Sequence, residues 1–495
     1  MCSGIGSAAC ILTCGIGIIA FAITVIRARF TFDEFLHLHF LWLISTGHIP
    51  HLDFWCNYPC TGYAILLPFF HVLPESVYSV LVMRILNLIM VSGVCVIFIL
   101  HTRRLQVHWI WGVLPIFLCF PNGLSPWIVE FRTDALAMLL AISALALLLR
   151  NPHPLSGAFA AGLAVLSLLI MPKYVYPLVP AIFAYALYGG FTIKLRRAFI
   201  GWLIFGGISG IIVAGILLLT IQVTLWDDFK WSGLFMLRYF AHVAKTETRL
   251  PHLISSVVHY FSANWWNALL FIAGIAGLIA VEWKKRGAPL FVGPAIALGI
   301  ILSWATGVMP QNQYLVPGLF CFTLLVPYVP RLINRPFWPI LSGFLLVCLG
   351  AFTVIGELKS GAAELGNGEL PVILQGCDNL LHIIPPHERV VGLWLTHPCF
   401  REDQTFMTWD ECWGDPKGFL PLLPLNSPAR CSFEPGSIAA SMEKSPPAAI
   451  AFNSSGNYPA GWNEAIANFL QHHADSYKQV SVLDNAIFIR NDLIK

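Results

Sequence analysis

Two adjacent carboxylates, Asp33 and Glu34, stand between an apolar run and a half-apolar stretch at Phe35 to Ser45. One acid is enough to cap a helix start and accept its free N–H groups. Two neighbouring acids repel, and at least one is held protonated to higher pH. Such a carboxylate at the lip of an apolar cavity is suited to general-base catalysis. His37 follows Asp33 at i+4, the spacing of a shared helix face, and His39, His48 and His51 thicken the cluster. Asp33 and His37 could bind a metal, but two ligands without a convincing third are a weak signal, and hydrogen bonding and orientation are the favoured histidine roles. Asp53 lies in a turn-rich loop, Gly47 to Pro59, where an aspartate either satisfies local N–H donors or faces substrate. Cys56 and Cys60, at its end, are close enough in sequence to form a disulfide.

A second constellation is Glu130-Phe131-Arg132-Thr133-Asp134. Arg132 and Asp134 either pair with each other or bind substrate hydroxyls or phosphate, to which a guanidinium fork is matched. Lys173 stands alone between two apolar runs, where it either snorkels or meets an anion. Gln313 and Tyr314 sit at the head of a late apolar run. Arg84 falls inside an early one, where an unpaired cation is costly and a partner is expected.

The elements that must position these groups belong to a membrane. The chain has 495 residues, 57% apolar and 11% charged, against roughly 25% charged in soluble proteins. That composition excludes an ordinary soluble enzyme, a disordered tail and a basic nucleic-acid-binding surface. Crossing about 30 Å of hydrocarbon takes roughly 20 apolar residues. Eleven runs qualify, near 8–26, 77–100, 106–120, 133–149, 155–171, 174–191, 198–224, 264–281, 288–308, 313–330 and 336–356.

Basic residues cluster after alternate runs, at Arg103-Arg104, Arg150, Lys194 to Arg197, Lys284 to Arg286 and Arg331/Arg335. The positive-inside rule makes those loops and the N-terminus cytoplasmic. Nine of the ten acids before residue 357 then fall on the outer face, Glu282 being the exception. Two outer loops are long. The first carries Phe35 to Ser45 and Tyr63 to Val72, too short to span and expected to lie in the interface. The second, 225–263, mixes aromatics with Lys230, Arg238, Lys245 and Arg249, either as an interfacial anchor or as a platform for a lipid phosphate.

Charge divides the chain. Residues 1–356 hold 20 Lys+Arg and 10 Asp+Glu, whereas residues 357–495 hold 9 and 16. The expected architecture is a transmembrane domain, 1–356, followed by a small soluble α/β domain, 357–495, on the outer side. Strand-like runs at Val390 to Leu393, Ala448 to Phe452 and Ala486 to Arg490 alternate with helix-compatible stretches such as Trp462 to His472. Cys377, Cys399, Cys412 and Cys431 allow three disulfide pairings there, and no spacing typical of structural zinc is present.

Taken in order, these motifs resemble those of multispanning GT-C glycosyltransferases that use polyprenyl-phosphate sugars. That group includes protein O-mannosyltransferases and the lipid A aminoarabinose transferase. The resemblance rests on Asp33-Glu34, then Gly47, Pro50, Asp53 and Phe54, then Asn57-Tyr58-Pro59, Arg132-Thr133-Asp134-Ala135-Leu136, Lys173 and Tyr314-Leu315-Val316-Pro317. It implies an α-helical polytopic fold and transfer of a hexose or pentose, with inversion, from a lipid-phosphate donor to an acceptor hydroxyl. The acceptor would be a lipid, a glycan or a protein.

By the same resemblance, Asp33 would be the base and Glu34 its support, and Asp134 would shape the acceptor side. Arg132 and Lys173 would hold the donor phosphate, with Asp53, Tyr58, Gln313 and Tyr314 completing the substrate site. Relatives often carry Lys or His where this chain has Tyr58, so a cation is missing there or supplied by Arg238, Lys245 or Arg249. The implied location is the bacterial inner membrane with a periplasmic active site, among membrane lipids. No cofactor is required, and a divalent cation is compatible with the sequence but not indicated by it. A transporter or flippase of lipid-linked sugars is the alternative. Flippases place ionisable groups near the midplane and show repeated halves, unlike this one-faced distribution of acids.

Overall fold

The computed structural model describes residues 32–56, 58–107, 109, 111, 130–234, 258, 265–306, 316–332, 369–391, 400–404, 435–452, 461–482 and 485–494. The early and middle helices are α1 (Phe32–Ser45), α2 (Thr61–Phe70), α3 (Ser79–Arg104), α4 (Asp134–Leu148), α5 (Pro154–Ile170), α6 (Val175–Thr192) and α7 (Arg196–Leu219). They are followed by α8 (Trp265–Trp283), α9 (Pro289–Thr306), α10 (Val316–Thr323), α11 (Glu369–Ile383), α12 (Pro435–Lys444) and α13 (Trp462–His472). The apolar runs read at 77–100, 133–149, 155–171, 174–191, 198–224, 264–281 and 288–308 each coincide with one helix from α3 to α9, whereas the run at 313–330 contains the short helix α10 followed by a 3-10 turn at Val326–Tyr328. The fold is polytopic and helical. The runs at 8–26 and 336–356, and nearly all of 106–120, lie outside the described residues.

Residues 84–216 and 248–366 contribute to one compact unit, and 29–83, 217–247 and 367–495 form another. In the first, α3 and α7 are long and apolar enough to cross a membrane, as is the segment Pro172–Thr192 containing α6. One side of α7 exposes Ile204, Phe205, Ile208, Ile212 and Ile216, as a lipid-facing side must. Its other side is held by small residues. A Cβ added to Gly206 would strike the Ala158 backbone, and one added to Gly210 would press on Gly162. Small residues four apart on α5 and on α7 thus let two backbones approach closely, the packing that bilayers favour. Arg84 is fully buried and has an interaction partner, as a cation inside a span must.

In the second unit, α1 begins with Asp33 and Glu34 in its first turn, where acids complement the helix dipole. It ends in a Schellman turn: His48 N–H donates to Leu43 O at 3.0 Å and Gly47 N–H to Ile44 O at 3.1 Å. Gly47 takes φ +94°, which an L side chain resists. Every residue from Glu34 to Ile44 is buried. This corrects the expectation of an interfacial helix. Its polar positions, Glu34, His37 and His39, find partners in protein, so the helix is enclosed rather than half-immersed.

The C-terminal part carries β1 (Arg389–Val391), β2 (Glu402–Asp403), β3 (Ala449–Phe452), β4 (Tyr477–Val482) and β5 (Asn485–Arg490) in one mixed sheet, ordered β2-β1-β3-β5-β4. Strands β2, β1 and β3 are parallel, and β3, β5 and β4 antiparallel. The period of two decides the layers. Val390, Ala449, Ala451, Ile487 and Ile489 pack with Leu380 and Ile384, at and just beyond the end of α11. Val391 and Ile450 face the other way, onto Ile438 and Met442 of α12 and Trp462, Ile466 and Phe469 of α13. Helices therefore cover both faces, the α/β sandwich expected from the alternating sequence.

Candidate functional site

Two groups of the expected site residues are each brought together. In the second unit, Tyr58 donates its hydroxyl hydrogen to Asp33 Oδ1 at 3.1 Å. The Tyr58 ring packs on His37, centroids 4.6 Å apart, and His37 Nδ1 lies 2.6 Å from the Tyr63 hydroxyl of α2. Asp33 is partly accessible, whereas Glu34 is wholly buried. The two neighbouring acids thus differ sharply in contact with solvent.

Asp53 does what an aspartate does in a turn. Its Oδ2 accepts the Ile49 N–H at 2.7 Å, closing the loop that α1 delivers. It also lines a cavity of about 400 Å³ whose walls include Phe54, Trp55, Arg389, Glu402 and Asp403. Two histidines of the cluster pair with acids of β2: His39 Nε2 lies 3.1 Å from Asp403 Oδ2, and His48 Nε2 lies 3.2 Å from Glu402 Oε1. The expected hydrogen-bonding role of these histidines is what their geometry displays. Glu402 and Asp403 escaped the sequence reading, because nothing local links them to residues more than 350 positions earlier.

Cys56 and Cys60 are both free and buried, so the pairing that their spacing allows is not formed. Burial pushes the Cys60 thiol well above its usual range, and the neighbouring Cys56 thiol and Asp228 carboxylate push it further.

In the first unit, Asp134 opens α4 and joins two cations. Arg132 Nε donates to its Oδ2 at 3.0 Å, while the Lys173 ammonium pairs with Oδ1. Arg132 also lies 3.7 Å from Glu130, which is 1% exposed. Lys173 is delivered by the 3-10 turn Pro172–Tyr174 between α5 and α6. Two carboxylates against two cations make this cluster formally neutral. Of the two readings of Arg132 and Asp134, mutual pairing is the one seen. Gln313 and Tyr314 lie outside the described residues, as do Arg238, Lys245 and Arg249.

The chain is similar to ArnT from Cupriavidus metallidurans bound to undecaprenyl phosphate, with 12% identity, 98% of each chain covered and a TM-score of 0.60. The apo state of the same ArnT gives 12% identity, 97% of each chain and a TM-score of 0.55. At that identity the likeness is one of fold. No protein-family model and no curated protein sequence matches the chain.

Proposed function

We propose that the protein is a membrane glycosyltransferase that moves one sugar, with inversion, from a polyprenyl-phosphate donor to an acceptor hydroxyl on the outer face of the membrane. The observation that carries this reading is the end-to-end likeness of fold to an ArnT that binds undecaprenyl phosphate, coupled to a partly accessible Asp33 held by Tyr58. A polyprenyl phosphate is already a good leaving group, so the reaction asks little of a general acid. It needs a carboxylate to take the acceptor's proton and donors to meet the charge growing on phosphate.

Asp33 is the base in this reading. The Tyr58 hydroxyl fixes its orientation, and buried Glu34 supports the helix start beneath it. Arg132 and Lys173 hold the donor phosphate. Because Asp134 and Glu130 already balance their charge, they act through remaining N–H donors rather than as a bare cationic patch. Asp134 sets the direction of both. Tyr58 brings no positive charge to the phosphate, and its hydroxyl donates to Asp33. Gln313, Tyr314 and Asp53 border the substrates, and the acceptor is a lipid, glycan or protein of the cell envelope.

The test is transfer in detergent or nanodiscs from a polyprenyl-phosphate sugar, with the lipid-linked sugar pool followed by mass spectrometry. Wild-type protein should consume the donor and release polyprenyl phosphate, and Asp33→Asn should not. A folded Asp33→Asn variant working at near wild-type rate would refute Asp33 as base. Movement of the lipid-linked sugar across liposomes without a new glycosidic bond would favour a flippase instead.

A further inference from the structure

We propose that His51, Cys60 and Asp228 form a binding site for one zinc-class divalent cation. They offer a nitrogen, a sulfur and a carboxylate oxygen that all lie within 4.8 Å of one another. His51 Nε2 is 3.5 Å from Cys60 Sγ and 3.6 Å from Asp228 Oδ1. Tetrahedral zinc, with Zn–N near 2.05 Å, Zn–S near 2.3 Å and Zn–O near 2.1 Å, sets its ligands apart by roughly 3.6 Å for N···S and roughly 3.4 Å for N···O. The two distances from His51 thus match the separations such an ion imposes.

A sulfur, an imidazole and a carboxylate select zinc over magnesium or calcium, which prefer all-oxygen shells. Three protein ligands leave the fourth position of a tetrahedral ion open to water. The Cys56 and Cys60 sulfurs both lie on the Tyr58 carbonyl, at 3.2 Å and 3.8 Å. The side chains are withdrawn from water: His51 is 3% exposed, Asp228 4%, and both cysteines are buried. A buried group of potential anions is costly unless a positive charge balances it.

The backbone aims these ligands. His51 adopts φ 67°, an uncommon conformation for a residue with a side chain, inside the turn closed by its own N–H to Phe54 O at 2.8 Å. Asp228, on the helical turn Leu225–Asp228, accepts the Cys60 N–H at 2.8 Å, which fixes its carboxylate beside the sulfur. The Trp55 ring stands edge-on to the imidazole of His51 at 6.1 Å. Cys56 and Cys60 flank Tyr58, so a bound ion would also fasten the loop that carries the Asp33 contact to the segment beginning at 217.

The experiment measures metal in the full-length protein, purified in detergent under reducing conditions from zinc-supplemented cells. Inductively coupled plasma mass spectrometry should find about one zinc per chain. His51→Ala and Cys60→Ser should lose it, and Cys321→Ser, a thiol elsewhere, should keep it. Should the variants fail to fold, cobalt exchanged into wild-type protein should give thiolate charge-transfer and tetrahedral d–d bands. Wild-type protein without zinc and without those bands overturns the site. So does zinc that survives His51→Ala and Cys60→Ser, or a Cys56–Cys60 disulfide in place of the metal. Metal content is read without any sugar donor, so its outcome is separate from that of the glycosyl-transfer reading.

Discussion

Tyr58 and Asp33, 25 residues apart in sequence, meet through one hydrogen bond of 3.1 Å between the phenol and Oδ1 of the carboxylate. A loop residue therefore sets the direction of the acid at the head of α1. If Asp33 takes the acceptor's proton, one substitution at each of the two residues should separate basicity from orientation. Asp33→Asn removes the base and should lower transfer by about 10²–10⁴-fold. Tyr58→Phe keeps the ring on His37 and removes only the hydroxyl, so a loss of about 10–100-fold is expected, matching about 1.5–3 kcal/mol for a hydrogen bond to a charged group. Single-turnover rates for the two variants check the order.

Asp134 carries a different burden, because two cations depend on it. Asp134→Ala removes the carboxylate that both Lys173 and Arg132 pair with, while the Arg132–Glu130 pair stays. Removing one member of a fully buried ionic network costs about 3–5 kcal/mol, and somewhat less is expected here because Asp134 and Lys173 are only partly buried. The variant should melt well below wild type in detergent. Restoring packing by the double change Asp134→Leu with Lys173→Met should recover much of that loss, and a thermal-shift series measures it.

Helix α7 offers a paired test on one element. Gly206→Val drives a side chain into the Ala158 backbone, whereas a Cβ at Gly201 meets nothing within 4 Å. Gly206→Val should cost more than about 2 kcal/mol or abolish the folded protein, the range of overpacked sites. Gly201→Ala should be neutral or slightly stabilising, by up to about 1 kcal/mol, from helix propensity alone. Fluorescence-detected size exclusion of the two variants distinguishes these outcomes.

Acid should weaken the C-terminal sheet in a definable window. Hydrogen bonding to Arg490, 2.8 Å from Asp492 Oδ1, holds the Asp492 carboxyl below its ordinary 3.8. A depressed carboxyl stabilises the fold above the unfolded value, and that contribution fades as pH falls through the folded one. Asp492→Asn should therefore be less stable than wild type near neutrality, with the gap closing below about pH 4. Denaturant titrations followed by tryptophan fluorescence at several pH values would reveal it. Because Asp492 is largely exposed, the effect should also shrink with salt.

Local pattern carried most of the fold. The spans at 133–149 and 155–171 match α4 and α5 within a residue, and Trp462 to His472 is α13. Such elements are written in the spacing of neighbouring residues. Strand β4 was missed because Tyr477–Val482 sits at the sheet edge and interleaves Lys478, Gln479 and Ser481. Two-residue β2 has no period to read.

The site divides in the same way. Asp134 and Arg132 are neighbours and were read together, but His51 and Cys60 meet Asp228 across 168 or more positions. His39 meets Asp403 across 364. Sequence spacing has no purchase on contacts that only tertiary folding creates.

The His39–Asp403 pair, together with the ring contacts from Trp42 and Phe70 to Phe400, also sets a timetable. Helix α1 leaves the ribosome hundreds of residues before the chain that encloses it. At about 5–20 residues per second, it waits roughly 20–70 s for Asp403 to be made. During that interval the burial of Trp42 and His39 is incomplete. A transcript cut short anywhere before codon 400 should therefore yield a chain that quality-control proteases recognise through its own first helix.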